Sequence, residues 1–150
     1  MRWLLNKYFP EWGGLFLRLA LGSVIMAHGW AKLNGPLGSP EGFNIDAWGW
    51  PYPEVWAWVV AIVETLGGLL IVVGLFTRFA AALSACVMVV AIVQVKVPSS
   101  FIGGFELEFT LLMIAIALVV TGAGRVSVDR DVLGWGAPPK RSHVGETPYD

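Results

Sequence analysis

Arg18-Leu-Ala-Leu-Gly-Ser-Val-Ile-Met-Ala-His-Gly-Trp-Ala-Lys32 is an apolar stretch that carries three ionisable side chains, Arg18, His28 and Lys32. Extended to residues 12–33, it makes a helix of roughly 30 Å, enough to cross the hydrocarbon core of a bilayer. A charge at the bilayer centre costs a few kcal/mol or more unless it is paired or hydrated. These groups are therefore expected to face the inside of a bundle, where later helices must supply what meets them. Gly14 and Gly22 lie four residues to either side of Arg18, and glycines on one face let a neighbouring helix approach closely. His28 and Lys32 are also four apart and stack toward the other end.

The whole chain has the same character. Of its 150 residues 56% are hydrophobic and 14% charged, against roughly 25% charged in a soluble domain. Mean hydropathy is +0.67. Three further apolar runs follow, at about 54–76, 79–97 and 105–122. The expected fold is an all-α integral membrane protein, an antiparallel four-helix bundle. Residues 1–131 form the transmembrane domain, and 132–150 form a polar tail expected to be disordered. The basic lead with Arg2 and Lys7 resembles a signal peptide, but Arg18 interrupts the apolar run and no small-residue cleavage site follows, so it reads as a retained first helix.

Residues 34–53 hold four prolines and four glycines among Phe43, Trp48, Trp50 and Tyr52. They form a structured loop between the first two spans, either an interfacial aromatic belt or a lid over the bundle. The single cysteine, Cys86, excludes an intrachain disulfide and a CxxC pair, and its apolar surroundings suit a buried small side chain. A net charge of -1 without a basic patch gives no reason to propose nucleic acid.

Arg2, Lys7, Arg78, Arg125, Arg130, Lys140 and Arg141 fall on one side of a four-span topology. The positive-inside rule then places both termini in the cytoplasm and the chain in the plasma (inner) membrane. Up-and-down threading decides which groups share a depth. Ala57, Ala61, Glu64 and Gly68 share a face of helix two, so Glu64 belongs to a close-packed seam ~15 Å below the outer boundary. His28 and Lys32 end helix one at the outer side, Gln94 and Lys96 end helix three there, and Glu106 and Glu108 begin helix four. These seven residues are candidates for ligand binding or proton handling. Arg18, Arg78, Arg125 and Asp129 are candidates for structural ion pairs at the inner side, where Arg18 reaches either Glu64 or the Arg125/Asp129 region. Each group also has a plainer account: Lys32 and Lys96 snorkelling, Glu106 and Glu108 complementing a helix dipole, and the buried pairs fixing helix register. His143 in the tail has no partner in sequence.

At these residues the chain resembles the DoxX family of small four-helix membrane proteins. The matching pieces are Arg18-Leu-x-Leu-Gly22, His28-Gly-x-x-Lys32-Leu33, Val63-Glu64-x-x-Gly67-Gly68-Leu69, Gly74-Leu-Phe-Thr-Arg78, Gly104-Phe-Glu106-x-Glu108 and Gly122-x-Gly124-Arg125-x-Ser127-x-Asp129. Together they cover about residues 12–131. The resemblance implies a redox association. One branch of the family supplies a membrane subunit of thiosulfate:quinone oxidoreductase, others accompany oxidoreductases or stress enzymes, and members of the wider superfamily act as assembly partners. The family often has a histidine near the end of helix three, where this chain reads Gln94-Val-Lys96, so no role for a second histidine transfers.

Three functions follow as alternatives. In the first, the chain is a quinone-binding subunit of a membrane redox complex: His28 donates and titrates, Lys32 or Lys96 stabilises developing negative charge, and Glu64 and Glu106 pass protons. No haem, nicotinamide or metal motif is evident, so the chain is at most the quinone side of an oxidoreductase, with a redox subunit as partner or a second copy of itself. The second is a non-catalytic anchor or assembly factor for a soluble partner. The third is a small-solute or proton transporter, which many folds build from inverted repeats that four helices lack.

Overall fold

The computed structural model describes residues 12–34, 49–96, 100–124, 126–131 and 134, apart from the side chains of residues 95, 96 and 131. Among the described residues, four helices are long and apolar enough to cross a membrane. α1 is Gly13–Leu33 and α2 is Pro53–Val73. α3, Thr77–Val90, continues as π-helical turns over Ala91–Lys96. A kinked turn, Phe101–Phe105, leads into α4, Glu106–Thr121, and a short α5 follows at Val128–Asp131. The expected antiparallel bundle is what the chain forms. The tail beyond 134, with His143, Lys140 and Arg141, lies outside the described residues, as do Arg125, most of the loop between α1 and α2, and the lead before residue 12.

Glycine decides how α1 meets α2. A Cβ on Gly68 would lie 2.6 Å from the Met26 backbone nitrogen and 2.7 Å from the Gly22 carbonyl oxygen. One on Gly22 would lie 2.8 Å from the Gly68 carbonyl oxygen. The helices therefore cross backbone to backbone, an approach only small residues permit. Ala57, Ala61, Glu64 and Gly68 are all buried, as their shared face requires. Leu21, Ile25, Ile71, Ala80, Ala81, Met88, Leu111, Ala115 and Leu118 fill the core between the four helices. Large apolar side chains such as Phe16, Leu66, Phe79 and Val120 point outward. In water such a surface would aggregate; against acyl chains it is the expected exterior.

The α2–α3 turn differs from the sequence expectation. α2 ends at Val73 and not near 76, because Gly74 takes the left-handed conformation (φ 78°) and its N–H bonds back to Leu70 and Ile71. Thr77 and Arg78, expected as a link, instead form the first turn of α3. The cause lies 52 residues away along the chain. The Asp129 carboxylate accepts from the Phe76 N–H at 2.6 Å and the Thr77 N–H at 2.9 Å, capping α3 from outside its own sequence. The Asp129 N–H donates to the Gly74 carbonyl at 2.9 Å, closing the loop.

Candidate functional site

The charged groups of the bundle separate into two assemblies, one at each end. At the end bearing the α2–α3 turn, Arg18 is 1% exposed. Its guanidinium lies against Gly74 and Ser127, under the charge of Asp129. Of the two partners open to Arg18 in sequence, the Asp129 region is therefore the one it meets. Its Nε and Nη1, like the Thr77 hydroxyl, are buried without a hydrogen-bond partner among the described residues. Arg78 is exposed, and its Nη2 donates to the Val120 carbonyl at 3.3 Å. That contact ties α3 to the C-terminal turn of α4, where a cation suits the unsatisfied carbonyls.

At the opposite end, the last turn of α1 faces the middle of α2. Lys32 donates to the Glu64 carboxylate in an ion pair. The Glu64 side chain is 4% exposed and that of Lys32 18%. Gly29, one turn before Lys32, packs directly on Thr65 and Glu64. The glycine seam is thus what lets the lysine reach a carboxylate buried within the helix pair.

Beside this pair lies a cavity of about 540 Å³. His28 and Lys32 of α1, Glu64 of α2 and Glu108 of α4 contribute its ionisable lining. The remaining wall is apolar, built from residues such as Ile25, Val59, Val63, Val87, Met88 and Leu111. An apolar volume of this size with a few convergent polar groups has the character of a small-molecule site. Its position follows from helix geometry. His28 and Lys32 are one turn apart, and Glu108 falls in the first turn of α4, entering the bundle from the same end.

Four of the seven residues singled out in the sequence line this cavity. Two do not: Gln94 and Glu106 are both exposed and absent from the wall. The Lys96 side chain lies outside the described residues. The cysteine and two tryptophans join those four on the wall, Trp50 from the loop that the sequence offered as an aromatic belt or a lid. Cys86, expected to be a buried small side chain, is exposed and part of the lining. Trp50 and Trp56 also line the cavity, with ring centroids 5.2 Å apart in an edge-to-face arrangement. Trp50 thus belongs to the cavity wall, and Trp48 lies outside the described residues. Ala91, where α3 passes into π-helical turns, is a further wall residue. Insertions of this type re-aim the side chains that follow and recur at functional sites. Among the described residues no group of three His, Cys, Asp or Glu side chains could hold a metal ion.

Four apolar spans enclosing a partly charged cavity define a multi-pass membrane protein in contact with the lipid bilayer. The DoxX family model matches residues 13–97, from α1 through α3. The chain is also 34% identical over 125 residues to "Putative oxidoreductase CatD" of Bacillus subtilis (strain 168), a match covering 83% of this chain and 90% of that protein. The chain belongs to the DoxX family. No solved structure matches it.

Proposed function

We propose that this protein is the membrane component of a redox system and that its cavity binds a quinone. The observation that carries the reading is the Lys32–Glu64 ion pair on the wall of an apolar cavity of about 540 Å³. A quinone needs an apolar slot for its ring, a cationic or hydrogen-bonding donor at a carbonyl, and nearby groups that exchange protons. Lys32 supplies the cation, His28 and Glu108 the exchangeable protons, and Trp50 and Trp56 flat apolar surface. The oxidoreductase description of the Bacillus relative supports the redox assignment.

Reduction of a quinone to a quinol consumes two electrons and two protons. Lys32 would stabilise negative charge on one carbonyl oxygen, and His28 and Glu108 would pass the two protons, one to each carbonyl oxygen. The electrons come from a partner subunit of the oxidoreductase class. The basic residues at the chain termini and at Arg78 put both termini in the cytoplasm under the positive-inside rule, with the cavity toward the outer side of the plasma membrane.

The test is the quinone content of protein purified in a mild detergent, measured by solvent extraction and absorbance beside His28→Ala and Lys32→Met variants. Near-stoichiometric quinone that drops several-fold in both variants is the expected result. Trace quinone in all three proteins refutes the reading and leaves anchoring or assembly of a soluble partner, to be read from what co-purifies.

A further inference from the structure

The cavity is walled partly by residues that also belong to the outer surface of the bundle. Along α2, Val55, Val59 and Ile62 are spaced four and three apart and form an outward stripe, the pattern of one helix face. Along α3, Phe79, Leu83 and Cys86 repeat the same spacing and are likewise exposed. Val59, Leu83 and Cys86 are at the same time cavity lining. A closed cavity would be lined by the inward faces of its helices. Here two outward stripes border it, so the wall is open on the side between α2 and α3, while exposed His28 on α1 and Leu107 on α4 border it elsewhere. α2 and α3 are joined at the Gly74 turn, and the cavity lies toward the end where they are not joined.

The level of this opening fixes what passes through it. Cys86 lies ten residues before the end of the π-helical turns at Lys96, so it sits roughly 15 Å from that end of the span. That depth is inside the hydrocarbon region, given a core about 30 Å thick. No acidic or basic side chain stands on either stripe. The acidic and basic lining residues, His28, Lys32, Glu64 and Glu108, come from α1, the seam face of α2 and α4.

From this we infer that the cavity is loaded from the bilayer, through a lateral portal between α2 and α3. It takes a ligand with a hydrogen-bonding head and an apolar tail. The head enters between Val59 and Leu83 and ends beside the Lys32–Glu64 pair, while the tail stays in the portal among acyl chains. The inference rests on the cavity geometry, and it gives the proposed quinone its class: a lipid-dissolved molecule with an isoprenoid-like tail.

Cys86 is the chain's one cysteine and stands in the portal, so it reports on the opening without any added residue. Full-length protein in proteoliposomes is treated with two maleimides of matched intrinsic reactivity, one partitioning into lipid and one carrying sulfonates. Modification is followed by mass spectrometry, with SDS-denatured protein defining complete reaction. The lipid-soluble reagent is expected to modify Cys86 at least 10-fold faster than the charged one. Leu83→Trp, which widens one jamb of the portal, is expected to slow that reaction at least 5-fold with unchanged helical content. Equal rates for the two reagents would mean that the cavity opens to water and would overturn the portal. An unchanged rate in Leu83→Trp would overturn it as well. A long-chain quinone added to the bilayer is expected to slow the lipid-soluble reagent. If it does not, while Leu83→Trp still slows that reaction 5-fold, the portal stands and the quinone reading is what fails.

Discussion

Asp129→Ala is predicted to be among the most damaging single substitutions in the described part of the chain, although Asp129 lies outside the four spans. Both carboxylate oxygens are engaged, with the Phe76 N–H at 2.6 Å and the Thr77 N–H at 2.9 Å. Bonds of this charge-assisted kind contribute about 1.5–3 kcal/mol each. Truncation removes the acceptor of the buried Thr77 N–H and of the part-buried Phe76 N–H and leaves Arg18, 1% exposed, without the opposing charge that acts on it. Asp129 acts on Arg18 without a direct ion pair, so this second loss is smaller than the roughly 3–5 kcal/mol of breaking a buried pair. These terms overlap, so the expected loss is about 4 kcal/mol, near a thousandfold in the folding equilibrium. Asp129→Asn keeps one acceptor and removes the charge, and should fall between the variant and the natural chain. The assay is equilibrium unfolding in mixed micelles of mild detergent and SDS, followed by far-UV circular dichroism. A loss below about 1 kcal/mol for Asp129→Ala would refute the reasoning, since neither the cap nor the opposing charge could then matter.

Three further outcomes are expected from the same structure. Lys32→Met and Glu64→Leu should each lower stability in that assay by about 3–5 kcal/mol, the glutamate change at the low end because the lysine it leaves alone is 18% exposed, and the double variant should recover much of the loss because no lone charge stays buried. Gly68→Ala should cost about 1–3 kcal/mol, since its Cβ meets Met26 and Gly22 backbone and not a side chain that can move; Gly13→Ala, where a Cβ meets nothing within 4 Å, is the neutral control. Trp50→Ala should weaken quinone binding about 2- to 10-fold in a titration of the purified protein, the equivalent of one edge-to-face aromatic contact, with the melting temperature little changed.

The spans, their antiparallel order and the α1–α2 seam were legible because each rests on a local pattern: apolar length, small residues four apart, a carboxyl on the small-residue face. The same pattern brought Lys32 and Glu64 into register, since two antiparallel helices tied at a glycine crossing have little freedom to slide. What was not legible depends on contacts remote in sequence. Asp129 moves the start of α3 back to Thr77, and nothing near Phe76 announces a cap 53 residues downstream. Cys86 has an apolar neighbourhood in sequence, which describes a lipid-facing residue as well as a core one. Its place beside the cavity depends on how far α2 and α3 stand apart. Gln94 and Glu106 share the depth of the site but not its side of the helix, and depth was all that threading could supply.

The contrast between the two ends bears on whether buried charge here is structural or functional. At the α2–α3 end each oxygen of the Asp129 carboxylate is engaged by a backbone donor, and Arg18 is packed against Gly74. Charge in that arrangement fixes how the C-terminal segment closes on the bundle. At the other end the Lys32–Glu64 pair borders about 540 Å³ of space. A stability argument alone gives no reason for that volume, because filling it with larger side chains would add buried apolar contact. Cys86 and Ala91 stand where a leucine or phenylalanine could project into it. If the pair were only a register device, Ala91→Leu should raise the unfolding midpoint and leave quinone content alone. If the space is a site, the same substitution should raise or hold stability while quinone content falls. A variant that gains stability and keeps its quinone would return the ion pair to the structural account.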